Sequence, residues 1–239
     1  MKLLHKGKWA NADVYRLEYD GKTMIYKGFD NRSFLVRWTI GVLLTRRETK
    51  KLLQLAEIEG IPGDVERCSK FAFRSDFIEG ETLGMLYGKK EHVSIEYFLQ
   101  AERLLKAMHK KGIVHLDLRR GANWMIDAEG KPAIIDFQSA LNIACLPRFL
   151  RRKLYEVDYS GLYKLWDKVC EVPQDDNRRK LLDRVNRSRK FWIFQGYVLQ
   201  QRSKKKRRKR QTGGEQLLMA TTKESKETQR EGKGEVSND

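Results

Sequence analysis

The chain contains little cysteine, and the placement of the few it has argues against two kinds of cross-linked architecture. Only three cysteines occur in 239 residues, and Cys68, Cys145 and Cys170 lie far apart with no C-x-x-C pair among them. An odd number of scattered cysteines fits neither a disulfide framework nor a zinc site. We therefore expect buried thiols in a reducing compartment.

Long hydrophobic runs are also missing. The most apolar stretches, 34–44 and 132–147, are interrupted by Arg37 and Asp136. Both are shorter than the roughly 20 residues that a membrane-spanning helix needs. The first residues, M-K-L-L-H-K-G-K-W, carry charge but no apolar core, so we expect no secretory signal. These absences predict a cytoplasmic protein.

Acidic residues are too few to balance the basic ones. The chain has 49 Lys and Arg against 32 Asp and Glu, which gives a formal net charge of +17. Such an excess predicts attraction to polyanions such as nucleic acid, anionic lipid or nucleotide phosphates, but it does not determine the fold. With 239 residues and 40% hydrophobic content, the chain can form one large domain or two small lobes with a proper core.

The most informative stretch is 112–140, G-I-V-H-L-D-L-R-R-G-A-N-W-M-I-D-A-E-G-K-P-A-I-I-D-F-Q-S-A. Its apolar segments predict two short strands at 124–126 and 133–135. The sequence D-A-E-G between them predicts a tight turn at 127–130. The stretch therefore reads as a hairpin.

Four polar residues lie at the open end of this predicted hairpin. His115 and Asp117 form an H-x-D sequence before the first strand, Asn123 directly precedes that strand, and Asp136 directly follows the second. ATP-dependent phosphoryl transfer needs a carboxylate that orients the acceptor hydroxyl, and an Asn plus an Asp that hold Mg²⁺ on the phosphates. A plain hairpin with solvated acidic ends is the simpler alternative, but the ordered set of four favours phosphoryl transfer.

The same stretch resembles the catalytic core of the protein-kinase-like superfamily. The H-L-D at 115–117 matches the catalytic-loop H-x-D, and the D-F-Q at 136–138 matches D-F-G. Asn123 lies six residues after Asp117, one more than in the protein-kinase loop, and Gln138 replaces the glycine. Both features are similar to a minimal bacterial group related to the RIO and lipopolysaccharide-sugar kinases.

The resemblance implies an α+β, two-lobed kinase-like fold. The N-lobe, 1–80, would combine a small antiparallel sheet with one helix and cover the nucleotide. The C-lobe, 81–201, would be mainly helical and carry the catalytic loop. Because no A-P-E sequence occurs, and only about twenty residues separate Asp136 from Asp158, the resemblance implies a minimal kinase without the activation segment of regulated kinases.

For the chemistry, the resemblance implies that Asp117 orients the acceptor hydroxyl and accepts its proton. Asn123 and Asp136 would hold Mg²⁺. Arg119 would stabilise the transferring group, because it stands where many protein kinases carry a lysine that contacts the γ-phosphate. Asp158 would brace the catalytic loop from a C-lobe helix, although a helix N-cap explains this residue equally well.

For the nucleotide, the resemblance implies that Lys27 contacts the α- and β-phosphates of ATP and that Glu48 pairs with it. Alternating residues at 8–29, with a turn at Asp20-Gly21, predict strands around Lys27. A solvated strand lysine and an exposed helix glutamate are the simpler alternatives. Ile78 lies at the implied hinge, where backbone groups bind adenine; this assignment rests on position alone.

The implied phosphate-covering loop is poor in glycine. The segment 7–12 reads G-K-W-A-N-A, with one glycine and no G-x-G-x-x-G. Small residues in it allow close approach of the backbone, although glycine does so most easily. This loop is the weakest part of the resemblance.

Several helices follow from hydrophobic periodicity. We predict one at 46–59, one capped by Ser94 and ending at Gly112, one beginning at 157, and one within 178–200. The aromatic residues at 191–197 could stack nucleic-acid bases, but their helical spacing favours a core. Neither His92 nor His109 has a partner at metal-ligand spacing, so we expect surface or packing histidines.

Composition changes at Arg202. The segment 202–239 has almost no apolar residues and should be disordered. Lys204 to Arg210 are seven consecutive cations, which could bind an anionic membrane surface or RNA or simply serve as a solvated end. A membrane-binding tail would place a cytoplasmic protein peripherally at the inner face of the membrane. We predict no obligate oligomer.

The sequence thus predicts an ATP- and Mg²⁺-dependent kinase that phosphorylates a hydroxyl of a protein Ser/Thr or of a sugar or lipopolysaccharide-type acceptor. Two alternatives remain. One is a catalytically weak pseudokinase, suggested by the glycine-poor loop. The other is a basic adaptor for nucleic acid or anionic membrane built on the same scaffold.

Overall fold

A computed structural model describes residues 1–7 and 11–189, together with the side chains up to Ser188. Within it, residues Met1–Arg187 form one unit. The aromatic run at 191–197, the Lys204–Arg210 cations and the tail boundary at 202 lie outside the described residues, as does the end of the helix predicted within 178–200.

A five-stranded antiparallel sheet occupies the N-terminal part of the chain. Its spatial order is β1-β2-β3-β5-β4. The predicted turn at Asp20-Gly21 is present, with φ of 49° and 71°, and it joins the two longest strands. The strands are β1 Lys2–His5, β2 Asp13–Tyr19, β3 Lys22–Gly28, β4 Glu66–Arg67 and β5 Ala72–Asp76.

One continuous helical segment follows the third strand. It comprises α1 Phe34–Val36, a π-helical turn Arg37–Gly41, and α2 Val42–Leu55. The buried side chains of α2 include Glu48, Leu52 and Leu55. The sequence placed this helix at 46–59, which is wrong at both ends. Ser33 occupies the N-cap position but accepts no capping hydrogen bond, and the prediction did not use it as a start signal.

Among the described residues, most of the chain in the remaining elements is helical, although five short strands accompany the four α-helices. The strands pair as β6-β8-β9 and as β7-β10, all antiparallel. Short 3₁₀ turns occur at Gly121–Asn123 and Phe137–Ser139. In chain order the elements are β6 Gly80–Thr82, α3 Leu83–Lys89, α4 Ile95–Lys110, β7 Ile113–Val114, β8 Trp124–Asp127, β9 Pro132–Ile134, β10 Leu141–Asn142, α5 Arg148–Val169 and α6 Asp176–Arg189.

Helix α4 supplies the centre of the main hydrophobic core. Ser94 caps it as predicted, since the Ser94 hydroxyl accepts a hydrogen bond from the Tyr97 N–H at 3.3 Å. Phe98 is fully buried and stacks on Trp166 of α5, with ring centroids 4.9 Å apart. The core extends from Leu55 of α2 through these helices, so the sheet region and the helical region share it.

Two details differ from the sequence predictions. Helix α5 begins at Arg148, nine residues before the predicted start at Val157. Cys68 and Cys145 are exposed, so the prediction of buried thiols is wrong for these two. His109, by contrast, is buried and stacks on Tyr155, which agrees with the predicted packing role.

The described residues thus mix helices with antiparallel sheets, which is compatible with the predicted α+β class. Among them, no helix combines the length and apolar character required to cross a bilayer.

Candidate functional site

Three predicted site residues from distant parts of the chain meet at one ammonium group. Lys27 Nζ lies 2.8 Å from Glu48 Oε1 and 2.7 Å from Asp136 Oδ1. The side chains of Lys27 and Glu48 are 11% and 4% exposed, whereas that of Asp136 is 47% exposed. The ion pair predicted between Lys27 and Glu48 is therefore present, and its open side carries the Asp136 carboxylate.

The strand register and the helix face explain this meeting. In β3, Lys27 lies opposite Val14 of β2 and Phe73 of β5, in the interior of the five-stranded sheet. Glu48 belongs to the buried face of α2, together with Leu52. Because side chains alternate along a strand, the register directs Lys27 toward α2. The simpler alternatives for these two residues, a solvated strand lysine and an exposed helix glutamate, are therefore wrong.

The charged groups in this cluster shift one another's pKa values. Burial opposes the charge on Lys27, but the carboxylates of Glu48 and Asp136 outweigh it, so the pKa of Lys27 is raised. The ammonium of Lys27 lowers the pKa of Asp136. Burial raises the pKa of Glu48 even though Lys27 counteracts it. The ammonium is thus firmly protonated and Asp136 is held as a carboxylate.

Asp117 and Asn123 form a second, connected pair. The Asn123 amide nitrogen donates to the Asp117 carbonyl oxygen at 2.9 Å and to Asp117 Oδ2 at 3.2 Å. Burial raises the pKa of Asp117, although Arg120, His115 and the Asn123 amide act against that shift. The extra residue between Asp117 and Asn123 therefore does not prevent the two from meeting.

The open end of the hairpin places Asn123 beside the segment that carries Asp136. Trp124 pairs with Ile134 across β8 and β9, and the Ile135 N–H donates to the Asn123 carbonyl at 3.1 Å. Asp136 follows directly in a left-handed conformation, with φ of 65°. Among the described residues, no hydrogen bond reaches Asn123 Oδ1. An amide oxygen and a half-exposed carboxylate are thus carried by neighbouring backbone segments.

Asp158 braces the loop that carries Asp117. Its carboxylate accepts hydrogen bonds from the His115 N–H at 2.9 Å and the Leu116 N–H at 2.8 Å, and it lies 3.0 Å from His109 Nε2. Asp158 lies in the middle of α5, so the N-cap alternative is wrong and the bracing contact is present. Gly161 lies one turn later in α5. A Cβ atom at this position would stand 2.8 Å from the carbonyl carbon of Leu118, so the absence of a side chain lets the loop approach the helix.

His115 ties the loop to the segment after β9. It is fully buried, and its Nε2–H donates to the Ile135 carbonyl at 3.1 Å. Its ring lies edge-on to Phe137, with centroids 5.0 Å apart. Burial lowers the pKa of His115 despite three neighbouring carboxylates. A neutral imidazole therefore positions Asp117 and Asp136 relative to each other.

The two tandem arginines of the loop have different surroundings. Arg119 donates to Ser160 Oγ at 3.1 Å and to Asn186 Oδ1 at 2.9 Å, so its guanidinium contacts α5 and α6. Arg120, for which the sequence predicted no role, lies 3.9 Å from Asp117 Oδ1. No sequence signal distinguishes the two neighbours.

Ile78 lies between β5 and β6, where the sheet leads into the helical region. Neither its N–H nor its carbonyl takes part in a hydrogen bond with any other described residue.

An unpredicted clamp holds the glycine-poor loop. Asp13 is buried, and its carboxylate accepts from the Gly7 N–H at 2.9 Å and pairs with Arg32. Arg32 also donates to the carbonyls of Gly7 at 2.8 Å and Asn11 at 2.9 Å. A Cβ on Gly7 would stand 2.3 Å from the Asn11 oxygen, so glycine is needed there. The loop between β1 and β2 is thus fixed at both ends by polar contacts.

Two of the candidate residues carry oxygen atoms of the kind that magnesium binds. Among residues 1–7 and 11–189, no group of three or more His, Cys, Asp or Glu side chains could hold a metal ion. Mg²⁺ instead uses one or two carboxylates together with substrate phosphates and water. Asn123 Oδ1 and the Asp136 carboxylate provide oxygen ligands of that type.

We expect the substitution Lys27→Met to destabilise the fold more at about pH 7 than at about pH 4. Without the ammonium of Lys27, the already raised pKa of Glu48 rises further. Glu48 then stays protonated in the folded variant at pH values where the unfolded chain, with an ordinary glutamate pKa, has lost the proton. Each pH unit in that window costs about 1.4 kcal/mol. Asp136 adds to the loss in the free energy of unfolding. Its lowered pKa stabilises the folded protein above the ordinary pKa of an aspartate, and this stabilisation disappears when Lys27 is removed.

Urea unfolding at both pH values measures this effect, with the exposed Lys22 as control. Lys22→Met removes a lysine from the same strand whose side chain is 69% exposed. It should have a small effect on the free energy of unfolding at either pH. A Lys27→Met penalty that does not change with pH would show that Lys27 does not govern the ionisation of Glu48 and Asp136 in the folded protein.

The chain was compared with protein-family models and with curated proteins, and neither comparison found a match. The function proposed below therefore rests on the residues and their geometry.

Proposed function

We propose that the protein is an ATP- and Mg²⁺-dependent phosphotransferase with a two-lobed, kinase-like fold. It transfers the γ-phosphoryl group to a hydroxyl of a protein Ser/Thr or of a sugar or lipopolysaccharide-type acceptor. The observation that carries the proposal is the bonding of Lys27 to both Glu48 and Asp136. It brings a strand lysine, a helix glutamate and the D-F-Q aspartate into one cluster, as phosphoryl transfer requires.

The nucleotide would bind between the sheet and the hairpin. Lys27, aimed by Glu48, would contact the α- and β-phosphates. The backbone groups of Ile78, which make no hydrogen bond with the described residues, would bind adenine. The contacts of Asp13 and Arg32 hold Gly7 and Asn11, the two described ends of the segment that would cover the phosphates in place of a glycine-rich loop.

Asp117 would orient the acceptor hydroxyl and accept its proton. Its raised pKa suits a base better than an ordinary aspartate would, because proton transfer is most efficient when the pKa of the base is near the working pH. Asn123 fixes the carboxylate through Oδ2, and Asp158 fixes the loop backbone. The acceptor oxygen is thereby held in place before transfer.

Asn123 and Asp136 would hold the magnesium ion. When bound, Mg²⁺ neutralises charge on the β- and γ-phosphate oxygens. The Asn123 amide nitrogen is already used on Asp117, which leaves Oδ1 for a cation. For Arg119, contact with the transferring group remains a prediction, and its bonds to Ser160 and Asn186 support a second role in joining the loop to α5 and α6.

Incubation with γ-labelled ATP, Mg²⁺ and fractionated cell extract tests the proposal. We expect label on a protein or sugar fraction, and about 100-fold or more less label with Lys27→Met. Lys22→Met, on the same strand, should keep nearly full activity. If no fraction is labelled and the protein still binds ATP, the pseudokinase alternative replaces the proposal. If it binds no ATP, the basic-adaptor alternative does.

A further inference from the structure

The helical segment that carries Glu48 also presents an unusually apolar outer surface. Five large apolar side chains are exposed within ten consecutive positions, and we call them the 34–43 ridge. Their exposed fractions are Phe34 66%, Leu35 74%, Trp38 45%, Ile40 38% and Leu43 55%. Scattered apolar residues are normal on a protein surface, but a contiguous group marks an interaction site.

The exposed charge along the helical segment itself has one sign. Between positions 31 and 56 the only acidic residue is Glu48, which is buried and paired with Lys27. Along the same segment, Arg46, Arg47 and Lys50 are exposed. The exposed surface of this helical segment therefore combines apolar side chains with cations and includes no carboxylate.

Cations also lie directly on the aromatic rings of this region. Lys70 Nζ stands 5.1 Å from the centre of the Trp38 ring, and the Arg37 guanidinium stands 5.2 Å from the centre of the Phe71 ring. Long basic side chains with apolar stems can lie along such rings while their heads reach the phosphate level of a bilayer. Tryptophan likewise prefers the boundary between acyl chains and headgroups.

We propose that the 34–43 ridge binds the surface of an anionic lipid bilayer. The apolar side chains enter the boundary between headgroups and acyl chains, and Arg46, Arg47 and Lys50 contact anionic headgroups. A lipid surface fits better than an acidic protein partner because it supplies both an apolar layer and a continuous negative charge. The segment lies in the plane of the interface and does not cross the membrane.

This surface is distinct from the Lys204–Arg210 segment and from the phosphotransfer site. It needs neither ATP nor magnesium, so Asp136→Ala should bind vesicles as well as the unmodified protein does. A failure of the phosphotransfer proposal therefore leaves the ridge unaffected, and the converse also holds.

Vesicle co-sedimentation of the full chain tests the apolar part of the surface. The vesicles contain phosphatidylcholine alone or with phosphatidylglycerol, at about 0.15 M salt. We expect binding to the anionic vesicles only, and about tenfold weaker binding for Phe34→Gln/Leu35→Gln. The control Leu53→Gln removes another exposed leucine of α2, 58% exposed and outside the ridge, and should change binding less than twofold.

A second pair of variants tests how the basic side chains beside the ridge contribute to vesicle binding. Arg46→Gln/Arg47→Gln should weaken binding about tenfold. Lys106→Gln/Lys110→Gln removes the same charge from exposed positions of α4 and should have little effect. Equal losses from both pairs would show that net charge alone, including the basic tail, governs binding, and would overturn the proposal.

Quenching by brominated lipids reports whether the ridge enters the bilayer. Trp38→Phe keeps an aromatic side chain but removes one of the five tryptophans of the chain, so the quenched part of the fluorescence should fall clearly while binding persists. Unchanged quenching in Trp38→Phe would overturn the proposal. So would a result in which the Phe34→Gln/Leu35→Gln variant dissociates an oligomer in sedimentation yet binds vesicles normally, because the ridge would then join copies of the chain.

Discussion

The substitution Asp136→Ala is expected to reduce Mg²⁺-ATP turnover at least 100-fold, on the order of the loss when a group that stabilises transition-state charge is removed. Asp136 is the only carboxylate among the proposed magnesium ligands. It is also the exposed partner of Lys27, at 2.7 Å. Its removal would take away a metal ligand and one of the two groups that fix the lysine. Release of labelled phosphate, measured at saturating ATP, reports the effect.

The same variant should remain folded. The Asp136 side chain is 47% exposed, and Lys27 keeps its contact with the buried Glu48. For a pair with one exposed member we expect a change of about 1 kcal/mol or less in the free energy of unfolding. Asp183→Ala, at an exposed position of α6, is the control for loss of a carboxylate. Turnover by Asp136→Ala within a few-fold of the unmodified protein would show that the metal assignment is wrong.

Asp158→Ala should have the largest effect on stability, a loss of about 3–5 kcal/mol in the free energy of unfolding. The carboxylate is fully buried and accepts from two backbone N–H groups, those of His115 and Leu116. Removing it leaves both donors without a partner, and each buried orphan costs about 1–3 kcal/mol. His109 loses its contact as well. Urea denaturation measures the loss.

Asp158→Asn separates the shape of the side chain from its charge. The amide preserves the volume and one acceptor oxygen, so we expect a loss between that of the alanine variant and that of the unmodified protein. Turnover should fall in both variants, since the loop before Asp117 is no longer fixed. A loss below about 1 kcal/mol for Asp158→Ala would mean that other groups take over the two N–H donors, and that bracing is not its role.

The sequence was sufficient to identify the residue types at the centre of the site. The H-x-D, the Asn and the D-F sequence lie close together on one hairpin, where local spacing places them at the same end. The roles of Lys27 and Glu48 were harder to predict from the sequence, because a lysine in a strand and a glutamate in a basic helix are usually ordinary surface residues. The strand register and the buried face of α2 decide their contact, and these depend on tertiary packing.

The clamp and the role of Asp158 could not be predicted from the local sequence. The clamp joins Asp13 to Arg32, which contacts the carbonyls of Gly7 and Asn11, and backbone acceptors leave no trace in a sequence. Asp158 could cap a helix or brace a loop, because both roles use a carboxylate that accepts N–H groups. Only its position in the middle of α5 distinguishes them.

The helix boundaries were wrong for a related reason. Helices α1 and α5 both begin without a side-chain hydrogen bond at the N-cap and without an acidic residue in the first turn. Cations in the first turn of α5, beginning with Arg148, oppose the helix dipole and argue against a start there. Packing of the buried face outweighs these local preferences.

A structure of the protein with Mg²⁺ and a non-hydrolysable ATP analogue tests the central claim most directly. We predict that the α- and β-phosphates lie on Lys27 and that the metal ion is bound by Asn123 Oδ1 and Asp136. The adenine should contact the backbone of Ile78. A nucleotide bound elsewhere, with Lys27 still held between Glu48 and Asp136, would contradict the account.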